Sequence, residues 1–110
     1  MTTEQRTVDV LLEQLAAVAG LSARKMFGEY ALQFDGKTVA LVCDDQLFVK
    51  PTAGGRAFIG ETDEAPPYPG AKPSLRIDAE RWDDADWLCG LLRITIAEVP
   101  LPKPKRPKKA

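Results

Sequence analysis

Histidine is absent from the 110 residues. That absence removes Ser-His-Asp and Cys-His nucleophilic catalysis, histidine-ligated zinc and the commonest general base near neutral pH. Cysteine is nearly as scarce. Cys43 and Cys89 form neither a CxxC pair nor a disulfide-dense framework, so both are expected as buried thiols in a reducing compartment. No apolar run approaches the roughly 20 residues of a membrane span, and MTTEQRTVD lacks the basic-then-apolar layout of a secretory signal. The expectation is a cytoplasmic protein with no membrane association.

What remains is ordinary globular material. A hydrophobic fraction of 45% beside 28% charged residues suits a soluble chain with one core, since a disordered chain is poorer in apolar groups. The net charge of −1 hides an asymmetry: Lys103, Lys105, Arg106, Lys108 and Lys109 supply five of the fifteen basic residues. Residues 1–99 therefore carry 10 basic against 16 acidic groups, a net of −6. An acidic body with a basic end is the charge pattern.

Helical spacing of Val8, Leu11, Leu12, Leu15 and Ala19, preceded by a T-x-x-Q capping box at Thr2 and Gln5, predicts a first helix over roughly residues 4–18. From Arg24 to Phe34, Met26, Gly28, Tyr30, Leu32 and Phe34 alternate with their neighbours, which predicts one strand. Asp35-Gly36 is a two-residue hairpin signal, because Gly accepts the positive φ of a type I′ turn. Closing the chain there sets Leu32 opposite Val39, Tyr30 opposite Leu41 and Gly28 opposite Cys43. Asp44-Asp45 is a second turn, after which Phe48 faces Leu41 and Leu47 faces Val42.

Pro51 ends this third strand, and Thr52 caps a short helical turn that runs to Gly60. The loop ETDEAPPYPGAKP, with four prolines, is expected to lack regular structure, with Tyr68 pinning it to the body. SLRID (residues 74–78) is a further strand. A last helix begins at Asp83 or Asp84 and stops before Pro100. One of its stripes holds Leu88, Leu92, Thr95 and Val99, and a second holds Trp87, Leu91 and Ile94. The fold class is α+β: an antiparallel sheet, a three-stranded meander plus one or two further strands, flanked by N-terminal and C-terminal helices. Residues 1–99 form the domain, and PLPKPKRPKKA (residues 100–110) is expected as a disordered, polyproline-like Pro/Lys-rich basic tail.

Residues 26–51 resemble the N-terminal domain of the TfoX/Sxy family. The resemblance rests on Met26, Phe27, Gly28 and Tyr30; on the Asp35-Gly36 turn; on Ala40, Leu41, Val42 and Asp44; and on Leu47, Phe48 and Lys50. The proline loop at 66–73 and the last helix extend it over roughly residues 5–100. It implies an α+β fold like that of the type III secretion chaperones. It also implies a link to regulators of natural competence that act with the cyclic-AMP receptor protein. Those regulators carry a second, C-terminal domain, where this chain has the short basic tail. The family supplies no catalytic residues to transfer.

The chemistry-bearing groups admit simple structural roles. Thr52-Ala53-Gly54-Gly55-Arg56 has the layout of an anion cradle but lacks the lysine-threonine ending of a phosphate loop, and is expected as a plain strand-to-helix connection. Asp44-Asp45, Asp63-Glu64 and Asp83-Asp84-Asp86 lack the spacing of a calcium loop and serve as a turn, a solvated loop and a helix cap. Glu29 and Tyr30 are strand neighbours that face opposite sides, so they do not converge as an acid-base pair. No cofactor and no metal are expected.

The expectation is a non-enzymatic cytosolic protein-interaction module, regulatory by its resemblance. Two stripes on the last helix exceed what one sheet face covers, so Trp87, Leu91 and Ile94 are the expected partner surface, with a homodimer foremost. One alternative is weak nucleic-acid contact through Lys103, Lys105, Arg106, Lys108 and Lys109, helped by Arg93 or Lys72. Another is a small-ligand or enzymatic site near Tyr30, Arg56, Tyr68 and Lys72, under the proline loop.

Overall fold

Asp35 and Gly36 reverse the chain with φ of 51° and 82°, and Asp44 and Asp45 do so with φ of 53° and 58°. Positive φ at both central residues is the type I′ signature, and aspartate is among the few L-residues that tolerate it. Both predicted hairpins are therefore present in the computed structural model, which describes residues 4–26, 29–60 and 63–99. The basic segment 100–110, including its five cationic residues, lies outside the described residues.

Around these turns the elements run α1 (Gln5–Gln14), β1 (Leu21–Met26), β2 (Glu29–Phe34), β3 (Lys37–Cys43), β4 (Gln46–Val49), α2 (Ala53–Ile59), β5 (Asp63–Ala65), β6 (Ser74–Ile77) and α3 (Ala85–Glu98). A 3₁₀ turn at Ala79–Asp83 leads into α3. The strands form one sheet in the order β1-β2-β3-β4-β6-β5, with every neighbouring pair antiparallel. The chain is α+β, as its pattern predicts.

One face of the sheet carries Tyr30, Leu32, Ala40, Val42, Leu47, Val49, Leu75 and Ile77, which pack with Val8, Leu11 and Leu15 of the first helical segment and with Leu88, Leu91 and Leu92 of α3. Polar ties fix this layer. Lys37 Nζ donates to the Ile96 carbonyl at 2.6 Å, and an Arg93 guanidinium nitrogen donates to the Ala17 carbonyl at 3.1 Å. Tyr30 donates its hydroxyl proton to Gln5 Oε1 at 2.8 Å.

Several sequence expectations need correction. The stretch 24–34 is two strands, because Met26 pairs with Glu29 and the chain direction is reversed between them; residues 27 and 28 lie outside the described residues. No Asx-Gly pair marks that reversal. It inverts the side-chain parity, so Met26 shares a face with Glu29 and Ala31 instead of with Tyr30 and Leu32. The register after the first turn begins as expected (Phe34 with Lys37, Gln33 with Thr38) and then shifts at a bulge between Leu32 and Gln33. Leu32 thus meets Ala40 and Tyr30 meets Val42, while the Gly28–Cys43 pairing lies outside the described residues. The pairs Leu41–Phe48 and Val42–Leu47 are as predicted.

The proline loop is also more regular than expected, since Asp63–Ala65 precedes the prolines and pairs with β6. Helix α1 stops at Gln14 rather than 18, and its N-cap Glu4 makes no side-chain cap bond. Asp45 takes over from a distant turn: its Oδ1 accepts from the Glu4 amide at 2.9 Å and from Thr7 Oγ1 at 2.8 Å. These bonds hold the Asp45 carboxyl below the usual carboxylate range. Thr52 and Asp84 cap as predicted, accepting from the Gly55 amide at 2.9 Å and the Trp87 amide at 3.1 Å.

Two outcomes test this packing. Leu91 is wholly buried between α2 and the sheet, so Leu91→Ala should lower unfolding free energy in urea by about 2–5 kcal/mol. A lowered folded-state pKa means that Asp45 contributes stability at neutral pH, and that this contribution fades as pH falls below about 4. Asp45→Asn should therefore lower the urea midpoint at pH 7, and the gap to the parent should close in acid. A gap unchanged to pH 2 would show that the turn does not hold α1 through its charge.

Candidate functional site

Across the helix-free face of the sheet, one line of paired residues runs Arg24, Ala31, Leu41, Phe48, Arg76, Asp63. Its ends are charged and its middle is apolar. An apolar strip in the middle of a sheet needs a cover, and here the proline loop supplies part of one. Pro67 is buried against the strip, while the neighbouring Tyr68 stays 55% exposed. The loop turns back where the Ala71 amide donates to the Tyr68 carbonyl at 3.1 Å and Gly70 adopts φ of 89°.

The cover is incomplete. On one side of Tyr68 lies a groove of about 440 Å³, with Leu41 and Cys43 at its floor, Pro67, Tyr68 and Pro69 as a wall, and Met26 and Glu29 at its rim. Met26 is 39% exposed. On the other side of the same wall a shallower depression of about 340 Å³ is lined by Phe48 and Ala65 and bordered by Asp44, Gln46 and Arg76. The Glu29 carboxylate accepts from the Asp44 amide at 3.1 Å, so two acidic residues stand together where the depressions meet the β3–β4 turn.

Burial, reinforced by Glu29 and Asp44, pushes the Cys43 thiol up to about 11. A thiol so raised is protonated at neutral pH and is neither a nucleophile nor a ready metal ligand. Among the described residues no group of three or more His, Cys, Asp or Glu side chains is placed to hold a metal ion. The chemistry this arrangement offers is apolar contact bordered by Glu29 and Asp44, with Arg76 at the far border paired to Asp63 at 2.7 Å.

The predicted site residues are divided by the fold. Tyr30 and Tyr68 both border the larger depression, but the Tyr30 hydroxyl is committed to Gln5 on the opposite side. Arg56 lies on α2 and forms a two-pronged pair with Glu64 at 3.0 and 3.1 Å. That pair lowers the Glu64 carboxyl and raises the guanidinium. Lys72 is exposed and borders neither depression. The four therefore do not form one site.

The proposed surface on α3 is in large part covered within the chain, with Trp87 and Ile94 half-buried. Leu91 has no exposure. Phe58 of α2 lies 5.6 Å from Trp87, centroid to centroid, with the Arg81 guanidinium 5.0 Å over the same indole. Gly54 approaches so closely that a Cβ there would stand 2.8 Å from Ile94 Cγ2. One sheet face does not cover two stripes, and α2 covers the second. The same geometry disposes of the anion cradle, since the Gly54 amide donates to Glu98 Oε1 at 2.9 Å and the Gly55 amide to Thr52.

Sequence reasoning missed Met26, Leu41, Cys43 and Pro67 as site residues. The inversion of parity between Met26 and Glu29 is what brings Met26 to the face of Leu41 and Cys43, and Glu29 beside it.

A family model for the TfoX N-terminal domain matches residues 13–99. A protein of Spirochaeta aurantia, described as an uncharacterised 12.7 kDa protein in the trpE 5′ region, is 36% identical over 108 residues, 98% of this chain and 93% of that protein. At pH 8 the raised Cys43 should hold roughly a hundredfold less thiolate than an ordinary thiol. Iodoacetamide labelling followed by peptide mass mapping should then find Cys43 nearly untouched in the native chain and readily alkylated in urea. Equal labelling in both would overturn the inert-thiol assignment.

Proposed function

The chain belongs to the TfoX N-terminal domain family, and on that premise we propose that it is a non-catalytic protein-interaction module whose docking surface is the groove beneath the proline loop. One observation carries the reading: an open apolar depression of about 440 Å³ whose rim exposes Met26 and Tyr68 and whose one thiol is held protonated. Exposed aromatic and thioether side chains around an apolar floor form the kind of centre on which protein interfaces concentrate their energy. The partner is a second copy of the chain. Two free, buried cysteines support a reducing, cytoplasmic setting.

Multi-angle light scattering tests the reading. The native chain at high micromolar concentration should run heavier than a monomer. Tyr68→Asp places a charge at the wall while leaving the core untouched, and should return the chain to monomer with an unchanged circular dichroism spectrum. A native chain that stays monomeric throughout overturns the reading.

A further inference from the structure

A polyproline II helix repeats every three residues and rises about 3.1 Å per residue. Wound that way, residues 101, 104, 107 and 110 fall on one edge, and these are Leu101, Pro104, Pro107 and Ala110, all apolar. The other two edges read Pro100, Lys103, Arg106, Lys109 and Pro102, Lys105, Lys108, and carry every positive charge of the segment. A stretch that looks merely basic is thus patterned, with one apolar ridge flanked by cations.

The helix-free face presents the complement. Two depressions share the wall Pro67-Tyr68-Pro69, with Glu29 on the rim of one and Asp44 on the rim of the other. We propose that this face binds the Leu101–Pro107 segment of a second copy of the chain. Successive apolar residues of the ridge, about 9 Å apart, settle on either side of the Tyr68 ring, and the flanking lysines face Glu29 and Asp44. Charge favours the pairing as well, since five cations approach a body of net −6.

Reach decides between a chain's own segment and its neighbour's. The last turn of α3 is held at Lys37, at the start of β3 and on the helical face. The groove opens near Cys43, on the other face and six residues farther along β3, a separation of about 20 Å. Leu101 is two residues beyond Val99 and extends at most about 7 Å. A segment seated from Leu101 onward therefore cannot lie in its own groove, whereas it can lie in a second copy's, and two copies related by a two-fold axis exchange segments reciprocally.

The proposal rests on the groove as docking surface, and its test separates the two. A fluorescein-labelled peptide of residues 100–110 is titrated with the full-length chain at physiological salt and followed by anisotropy. Binding should saturate. It should weaken at least tenfold with Tyr68→Ser, and equally with a shuffled peptide of the same composition that breaks the apolar edge. A shuffled peptide that binds as well reduces the contact to charge alone and overturns the proposal, as does binding indifferent to Tyr68→Ser. In light scattering, the full-length chain carrying Leu101→Ser, Pro104→Ser and Pro107→Ser should be monomeric. If that variant still self-associates while Tyr68→Asp does not, the groove stands as the docking surface and its occupant is some other segment. If both still self-associate, the groove itself is wrong.

Discussion

Enclosure of α3 is the constraint on which the architecture depends. Leu88, Cys89, Leu91, Leu92 and Thr95 are all buried, and Trp87 and Ile96 pack against the same core. A helix apolar on so many sides is not stable lying on a single surface. The sheet takes one side, the first helical segment another and α2 a third. That third contact is why Gly54 stands in the first turn of α2. At Gly54 a side chain would strike Ile94, and at Gly55 the capping hydroxyl of Thr52 occupies the space. Even the buried Thr95 hydroxyl is accommodated by returning its proton to the Leu91 carbonyl at 2.9 Å.

Because α1 and α3 both lie on one side of the sheet, the other side is left to an eight-residue proline loop. Proline holds such a loop in a narrow set of conformations without hydrogen-bonded support from neighbours, and it covers only part of the apolar strip. The uncovered remainder is the groove. Its chemistry follows from its position: shielded enough to keep a thiol neutral, open enough to expose Tyr68 and Met26, and bordered by acidic residues supplied by a strand end and a tight turn.

The parts of this organisation that can be read in the residues are those governed by short-range chemistry. Asp35-Gly36, Asp44-Asp45, Thr52 and Asp84 each specify a turn or a cap through their own backbone preferences, and each does so in the structure. The order of strands 2, 3 and 4 and the α+β class follow from those points. Long-range choices are not written in the same way. The reversal between Met26 and Glu29 preserves a run of alternating residues while exchanging its faces, so alternation alone assigns Met26 to the face away from the groove that it in fact borders. The second stripe of α3 shows only that something apolar must cover it. A seven-residue helix of the same chain and a partner protein satisfy that pattern equally, and the glycine contacts decide in favour of the helix.

The strand order also has a bearing on what the sheet cannot do. It ends on β1 at one side, where Arg24 and Lys25 are exposed, and on β5 at the other, three residues long and followed at once by Pro66 and Pro67. Charged side chains, brevity and proline are the devices by which sheets resist growth by strand addition. Neither margin is a template for another chain. Nascent strands in a crowded solution therefore find little to zip onto here, and concentrated solutions should stay clear of fibres.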